Sequence, residues 1–315
     1  MSLTERSPPP LPEFILQNTS QLNHVLFSDE LPDLFYASNR NGDLNIYNLN
    51  LRRSVFHSNP NKESILSIAE LENQNLITHS RNGSIYKWTK NNVDWNHECI
   101  YHNDVYTFCQ FELNDDKSIL YVPSNQSSVI DCIEMMSNQK INSLKPMNLE
   151  NSKKGMLMNM RSFENRILLA GYESGELSLF DLRNLKELNS INLFNGQPLM
   201  CFDFSKQVNF GISGSTDLNI KQFSLMNDSN IKLDNSFDLV NPGLNAIKIR
   251  KLDSKIFATG GWDSRVRVYG LKKQKLLVVL DFHKEAISSI DFSIKNGMMA
   301  VGSNDNVISF WNLYN

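Results

Sequence analysis

Gly260-Gly261-Trp262-Asp263-Ser264-Arg265-Val266-Arg267-Val268-Tyr269 is the stretch whose reading decides the fold. It opens on two small residues, passes through a turn that carries an acid, and ends as an alternating strand closed by an aromatic. The Asp263 carboxylate is placed to accept hydrogen bonds from backbone N–H groups of its own turn. Val266 and Val268 point to one face of the strand, Arg265 and Arg267 to the other. This pattern recurs through the chain. Aligned on the residue that closes each strand, the copies end at Tyr47, Trp88, Ile133, Phe180, Phe223, Tyr269 and Trp311, at intervals of 41, 45, 47, 43, 46 and 42 residues.

Each copy has a second half upstream. An inner strand such as Ile287–Phe292 precedes a strand ending in small residues, Met299-Ala300-Val301-Gly302-Ser303. Leu199–Phe204 before Gly211–Ser215, and Ile65–Ile68 before Leu76–Ser80, repeat the arrangement. Small residues there let neighbouring units approach closely near an axis. Four short strands in a period of about 40–45 residues is the WD-repeat signature. The expected fold is therefore all-β, a seven-bladed WD-repeat β-propeller over residues 13–315. Its units run 22–60, 61–103, 104–150, 155–195, 196–240, 241–280 and 281–315. The third is the least regular: Pro123 interrupts it and Ile133 replaces the aromatic. Phe14-Ile15-Leu16-Gln17 has no hairpin partner beside it, while the last unit stops after its third strand. The N-terminal strand is therefore expected to complete the last blade and close the ring, which also protects an edge. Residues 1–12, with Pro8, Pro9, Pro10 and Pro12, read as a flexible extended arm or as a polyproline ligand.

The 315 residues are 41% apolar and 21% charged, with a net charge of −3. That balance argues against a basic phosphate-binding surface, so no direct nucleic-acid partner is expected. Lys272, Lys273 and Lys275, and the pair Lys153–Lys154, read as solvated loops. Cys99, Cys109, Cys132 and Cys201 lack C-x-x-C spacing, so no zinc or redox motif is present, and no metal or cofactor is expected. Cys109 and Cys201 fall in apolar strand patterns and read as core residues. The Pro-rich, charged N-terminus does not read as a signal peptide, and no apolar run reaches the ~18 residues that span a bilayer. The chain is expected to be intracellular and soluble, with no membrane partner, so its Asn-x-Ser/Thr triplets carry no glycosylation inference.

In the last unit His283, Ser303, Asp305 and Trp311 stand at the positions of the WD-repeat hydrogen-bond relay. Asp305 is expected to orient His283, and Ser303 to link to the Trp311 indole N–H, satisfying buried polar groups. The same side chains invite a catalytic-triad reading. They are spaced as structural positions of one repeat, however, and no G-x-S-x-G elbow accompanies them. No catalytic residue is assigned, and the protein is not expected to be an enzyme. His57 and His102 fall at the matching position of units two and three, where Asn82 and Ser127 replace the acids, so those relays read as incomplete.

An ordered set of segments goes further than the repeat. It comprises Pro8–Pro10 with Phe14 and Leu16, Ser143-Leu144-Lys145-Pro146, Leu168-Leu169-Ala170-Gly171-Tyr172-Glu173, Gly211–Ser215, and Asn241-Pro242-Gly243. Gly261–Val268, Phe282-His283 and Trp311-Asn312-Leu313-Tyr314 complete it. In this order they resemble the ASTRA-associated protein 1 family of fungi and its animal relative, the guanine nucleotide-binding protein beta-subunit-like proteins. The departures are imperfect WD dipeptides, of which Phe180-Asp181 is the nearest, and the degenerate third unit. The resemblance implies a non-catalytic scaffold of the nucleus, with the cytoplasm as a second location, in an ASTRA complex linked to chromatin remodelling. Implied partners are TTT cochaperone proteins, RuvB-like AAA+ ATPases and a PI3-kinase-related protein, whose maturation it would assist as a monomeric subunit of a hetero-complex. The alternative is a Gβ-like signalling or ubiquitin-ligase substrate-adaptor propeller.

A partner would meet the residues preceding the turn acids, which the repeat places on one face: Arg40, Arg81, Gln126, Glu173, Thr216, Trp262 and Asn304. An exposed Trp near Arg side chains is the composition of an interaction hot spot. Trp262, Arg40, Arg81 and Glu173 are therefore the candidate partner-binding residues; the other reading of Trp262 is that it packs on a neighbouring loop.

Overall fold

The computed structural model describes residues 10–91, 94–147, 149–151 and 153–314. Most of the expected N-terminal arm, residues 1–9, lies outside them. The described residues form seven four-stranded antiparallel sheets arranged as blades. In the first blade the strands run from the axis outward as Leu22–Phe27, Leu34–Asn39, Leu44–Asn48 and Arg53–Ser58. Burial follows that order. The second strands Leu76–Ser80, Ile167–Tyr172, Phe210–Ser215, Ile256–Gly261 and Met299–Ser303 are buried throughout, whereas the outer strand Asp94–His102 is mostly exposed. A strand covered on both faces favours apolar or small residues, and these strands have them at every position but His79.

The seventh blade is completed from the other end of the chain. Its order from outside to axis is Phe14–Gln17, Val307–Trp311, Met299–Ser303, Ile287–Phe292. Phe14 lies opposite Phe310 and Leu16 opposite Ile308. The Phe14 and Phe310 rings stack at 4.3 Å, and the Arg52 guanidinium of the first blade lies 4.8 Å from the Phe14 ring centroid. The ring thus closes as the sequence predicts.

The core lies mainly between blades. One cluster joins Ile256, Ala258 and Val268 of the sixth blade to Ile287, Val301 and Trp311 of the seventh. Glycine makes this approach possible: a Cβ on Gly260 would sit 2.5 Å from the Ile287 side chain of the next blade. Gly171, Gly214 and Gly302 hold the same register in their blades. The second blade has His79 there instead, fully buried and 6.2 Å from the Phe111 ring of the third. The third blade's innermost strand is reduced to Glu112–Leu113, and residues 103–111 have no regular structure. Only short 3-10 turns occur beside the strands, and among the described residues no helix is long and apolar enough to cross a membrane.

Candidate functional site

The blade-seven relay forms with one change of member. His283 Nδ1 lies 3.0 Å from Asp305 Oδ2, and its Nε2 lies 2.7 Å from Ser309 Oγ. The Trp311 indole N–H donates to the same Ser309 hydroxyl at 2.8 Å. The linking hydroxyl therefore belongs to Ser309, not to Ser303. Ser303 instead donates toward the Glu285 and Ala286 carbonyls at 3.0 and 3.2 Å, holding the loop before the inner strand. The second blade shows why. There the Trp88 indole N–H donates to Thr78 Oγ1 at 2.9 Å. The matching position in the seventh blade is Val301, which has no hydroxyl, and its cross-strand neighbour Ser309 supplies one. Burial alone would raise the Asp305 pKa. The His283 imidazole and the backbone N–H groups of Lys284 and Val307 outweigh it and hold the carboxyl at about 2.

The other blades fill the histidine position with different chemistry. In the sixth, Asn241 Nδ2 donates to Asp263 Oδ2 at 2.8 Å, and Arg267 Nη2 donates to the same oxygen at 2.6 Å. In the fourth the position is taken by Lys154, which is buried. Its ammonium donates to Ser178, Glu187 and Ser190 at 2.8–2.9 Å and lies 3.6 Å from Glu176. Lys154 is therefore not a solvated loop cation as expected; only Lys153 of the pair is exposed. His57 pairs with Asp43 of the first blade's own turn at 3.2 Å rather than serving the second blade, and His102 bridges Ser84 and Asp104. What the sequence reading missed is that Lys154 and Asn241 share the place of His283, three or four positions before the inner strand, with different chemistry.

The residues preceding the turn acids do share one face. The backbone N–H of Arg40, Arg81, Glu173, Trp262 and Asn304 donates to the carbonyl just before the same blade's inner strand, on Gln21, Ser64, Met156, Gly243 and Ala286, at 2.8–3.0 Å. This repeated bond fixes all five at one end of the ring. Trp262 is 45% exposed, yet it is held: its indole N–H donates to Asn245 Oδ1 at 2.6 Å, and its ring lies against Gly243. Gly243 has φ +88°, and a Cβ there would lie 2.3 Å from the indole, so glycine is required twice over. Trp262 thus packs on the 241–243 loop, as the second reading expects, and still presents one side to solvent. Glu173, exposed, accepts the Met156 N–H at 3.1 Å. Arg40 is exposed, and Arg81 lies 4.3 Å over the Phe108 ring. The four side chains lie in blades one, two, four and six, so they frame a wide face and do not converge on one point.

An axial channel of about 540 Å³ opens on this face beside Arg40, Phe108 and Asn304. Three of its acids join blades. Asp291 accepts the Phe27 N–H at 2.9 Å, Asp203 the Ile249 N–H at 2.8 Å and Glu112 the Ser162 N–H at 3.0 Å. Nearby Arg161, burial and Lys248 lower the Lys251 pKa to about 8. Burial pushes the Cys201 and Cys109 thiols upward, as suits core residues. Among the described residues no group of three or more His, Cys, Asp or Glu is arranged to hold a metal ion.

Fold and relays define a WD-repeat β-propeller, and the family model of the WD domain, G-beta repeat, matches residues 274–312. That span covers the sixth blade's outer strand and three strands of the seventh, so the sequence repeat straddles two blades. The chain is 30% identical to guanine nucleotide-binding protein subunit beta-like protein 1 of Mus musculus, over 98% of this chain and 97% of that protein. It is 22% identical to ASTRA-associated protein 1 of Schizosaccharomyces japonicus, over 97% of this chain and 99% of the relative. ASTRA-associated protein 1 of Penicillium rubens is 28% identical over 60% of this chain and 50% of that protein. The chain belongs to the family that these proteins form.

Proposed function

We propose that this propeller is a non-catalytic scaffold of an ASTRA-type assembly in the nucleus, contributing to chromatin regulation. In this reading it works beside TTT cochaperone proteins and RuvB-like AAA+ ATPases in the maturation of a PI3-kinase-related protein. The observation that carries the reading is the end-to-end similarity to ASTRA-associated protein 1 of Schizosaccharomyces japonicus. Three of the channel acids, Glu112, Asp203 and Asp291, support a structural role, since each of them is bonded to a neighbouring blade's backbone. Trp262, framed by Arg40, Arg81 and Glu173, is the proposed contact face: its indole is already immobilised, so little side-chain entropy is lost on binding.

The test is purification of the tagged protein from its own cells, followed by mass spectrometry and fluorescence localisation. Co-recovery of those proteins and nuclear signal are expected. Recovery of a cullin-ring ligase or a Gγ-like peptide in their place would overturn the proposal in favour of an adaptor or signalling propeller. Trp262→Ala is expected to reduce co-recovery with only a small drop in thermal midpoint, because the ring is half exposed.

A further inference from the structure

Residues 103–111 are the part of the ring that departs most from the repeat, and they carry the most exposed aromatic pair on the partner face. Tyr106 is 69% and Phe108 58% exposed, whereas the intervening Thr107 and the following Cys109 are buried. This alternation makes the segment an extended rib with one side anchored. The Thr107 N–H donates to the Arg81 carbonyl at 3.1 Å, and the Cys109 N–H to Thr107 Oγ1 at 2.9 Å. Gly83 lets the rib lie on the 81–83 turn, because a Cβ there would fall 2.2 Å from Asn103 Oδ1. Two large rings are thus held out into water by a fixed backbone. Solvent does not favour that arrangement, and a partner's apolar side chain would relieve it.

Two cations stand beside the rings. The Arg81 guanidinium stacks on Phe108, and Arg40 stands exposed at the channel mouth that Phe108 also lines. Among the described residues neither guanidinium has an acid within ion-pair distance. The one acid on the rib, Asp104, lies 2.7 Å from His102 Nε2. A guanidinium whose face rests on a ring still offers its N–H edge, which matches a carboxylate.

We propose that Tyr106, Phe108, Arg81 and Arg40 form a docking site for an acidic segment of a partner protein that carries a bulky apolar side chain. This rests on the scaffold reading above and names what one sector of the face recognises. The apolar side chain lies on the exposed sides of Tyr106 and Phe108, and the flanking carboxylates meet Arg81 and Arg40. Nucleic acid could also use rings beside cations, but a chain of net charge −3 offers its phosphates no basic track.

The experiment installs the photo-crosslinker p-benzoylphenylalanine at Tyr106 in the full chain in its own cells. After irradiation and purification, the crosslinked fragment is sequenced. A fragment rich in Asp and Glu with a bulky apolar residue is expected. A synthetic peptide of that fragment should bind the unmodified chain, and raised salt should weaken binding about tenfold. The double variant Arg40→Glu/Arg81→Glu should lose at least about tenfold more, with Arg40→Gln/Arg81→Gln as the milder pair if charge reversal impairs folding. A basic or neutral fragment, a crosslink to RNA, or peptide binding indifferent to both pairs would overturn the proposal. So would a silent crosslinker. In that last case, co-recovery of the assembly leaves the scaffold reading standing, and its absence removes that reading as well.

Discussion

Ser309 and Ser303 show how one hydroxyl is chosen over another. Both are fully buried, but only Ser309 faces both the Trp311 indole and His283. Ser309→Ala strands two buried partners and should cost about 1–3 kcal/mol in urea unfolding, more than Ser303→Ala. Adding Val301→Thr should recover part of the loss, because it rebuilds the Thr78–Trp88 arrangement of the second blade. Lys154 makes a sharper prediction. Lys154→Ala leaves Glu187 buried without its cation and should cost roughly 3–5 kcal/mol; Lys154→Met with Glu187→Gln should restore most of that. Neither residue's role follows from its own identity. Ser303 sits where repeats usually carry a polar residue, and Lys154 sits in the basic pair Lys153–Lys154 that reads as a solvated loop. The informative signal is comparative: Val301 against Thr78, and Lys154 against His283 and Asn241 at one register.

Among the elements, the second strand of blade two carries the buried His79. Burial alone holds this imidazole's pKa at about 4, below its ordinary 6.5. The unfolded chain therefore binds a proton that the folded chain refuses between those values. The stability that neutral His79 contributes is complete above about pH 6.5, declines as pH falls toward about 4, and changes no further below. His24, at about 4 through burial and then Lys248, adds a second proton in the same window. Urea unfolding followed from pH 7 to pH 4.5 should show this slope, and His79→Gln should flatten it by about 1.4 kcal/mol per pH unit. An unchanged slope would mean that His79 is protonated in the fold. The period, the strands and the weakness of unit three were legible because backbone register repeats along the chain. That residues 103–111 form an aromatic rib was not, because its anchor is the Arg81 carbonyl of the neighbouring blade, which accepts the Thr107 N–H.

For the whole molecule, the ring is closed by four residues. Leu16 is buried against Phe35, Ile308 and Phe310, so Leu16→Asp sets a charge into the seam between the two ends. It should lower the thermal midpoint and expose the Val307–Trp311 strand to proteolysis, whereas Ile15→Asp, at an exposed position, should do neither. Equal protection of both variants would show that the seventh blade stands without its outer strand. Closure was readable from two halves of one pattern, a strand with no partner and a blade with a missing edge.

Phe14 waits for Phe310, its partner 296 positions later. At the ~5–20 residues per second of translation, the first strand is made tens of seconds before the strand it pairs with. During that interval the growing protein is an open arc, with the apolar seam residues of its first blade facing no neighbour. A propeller sealed in this way is completed only after its last strand leaves the ribosome. Its own biogenesis therefore has the greatest need of protection at the blade whose two halves are made furthest apart.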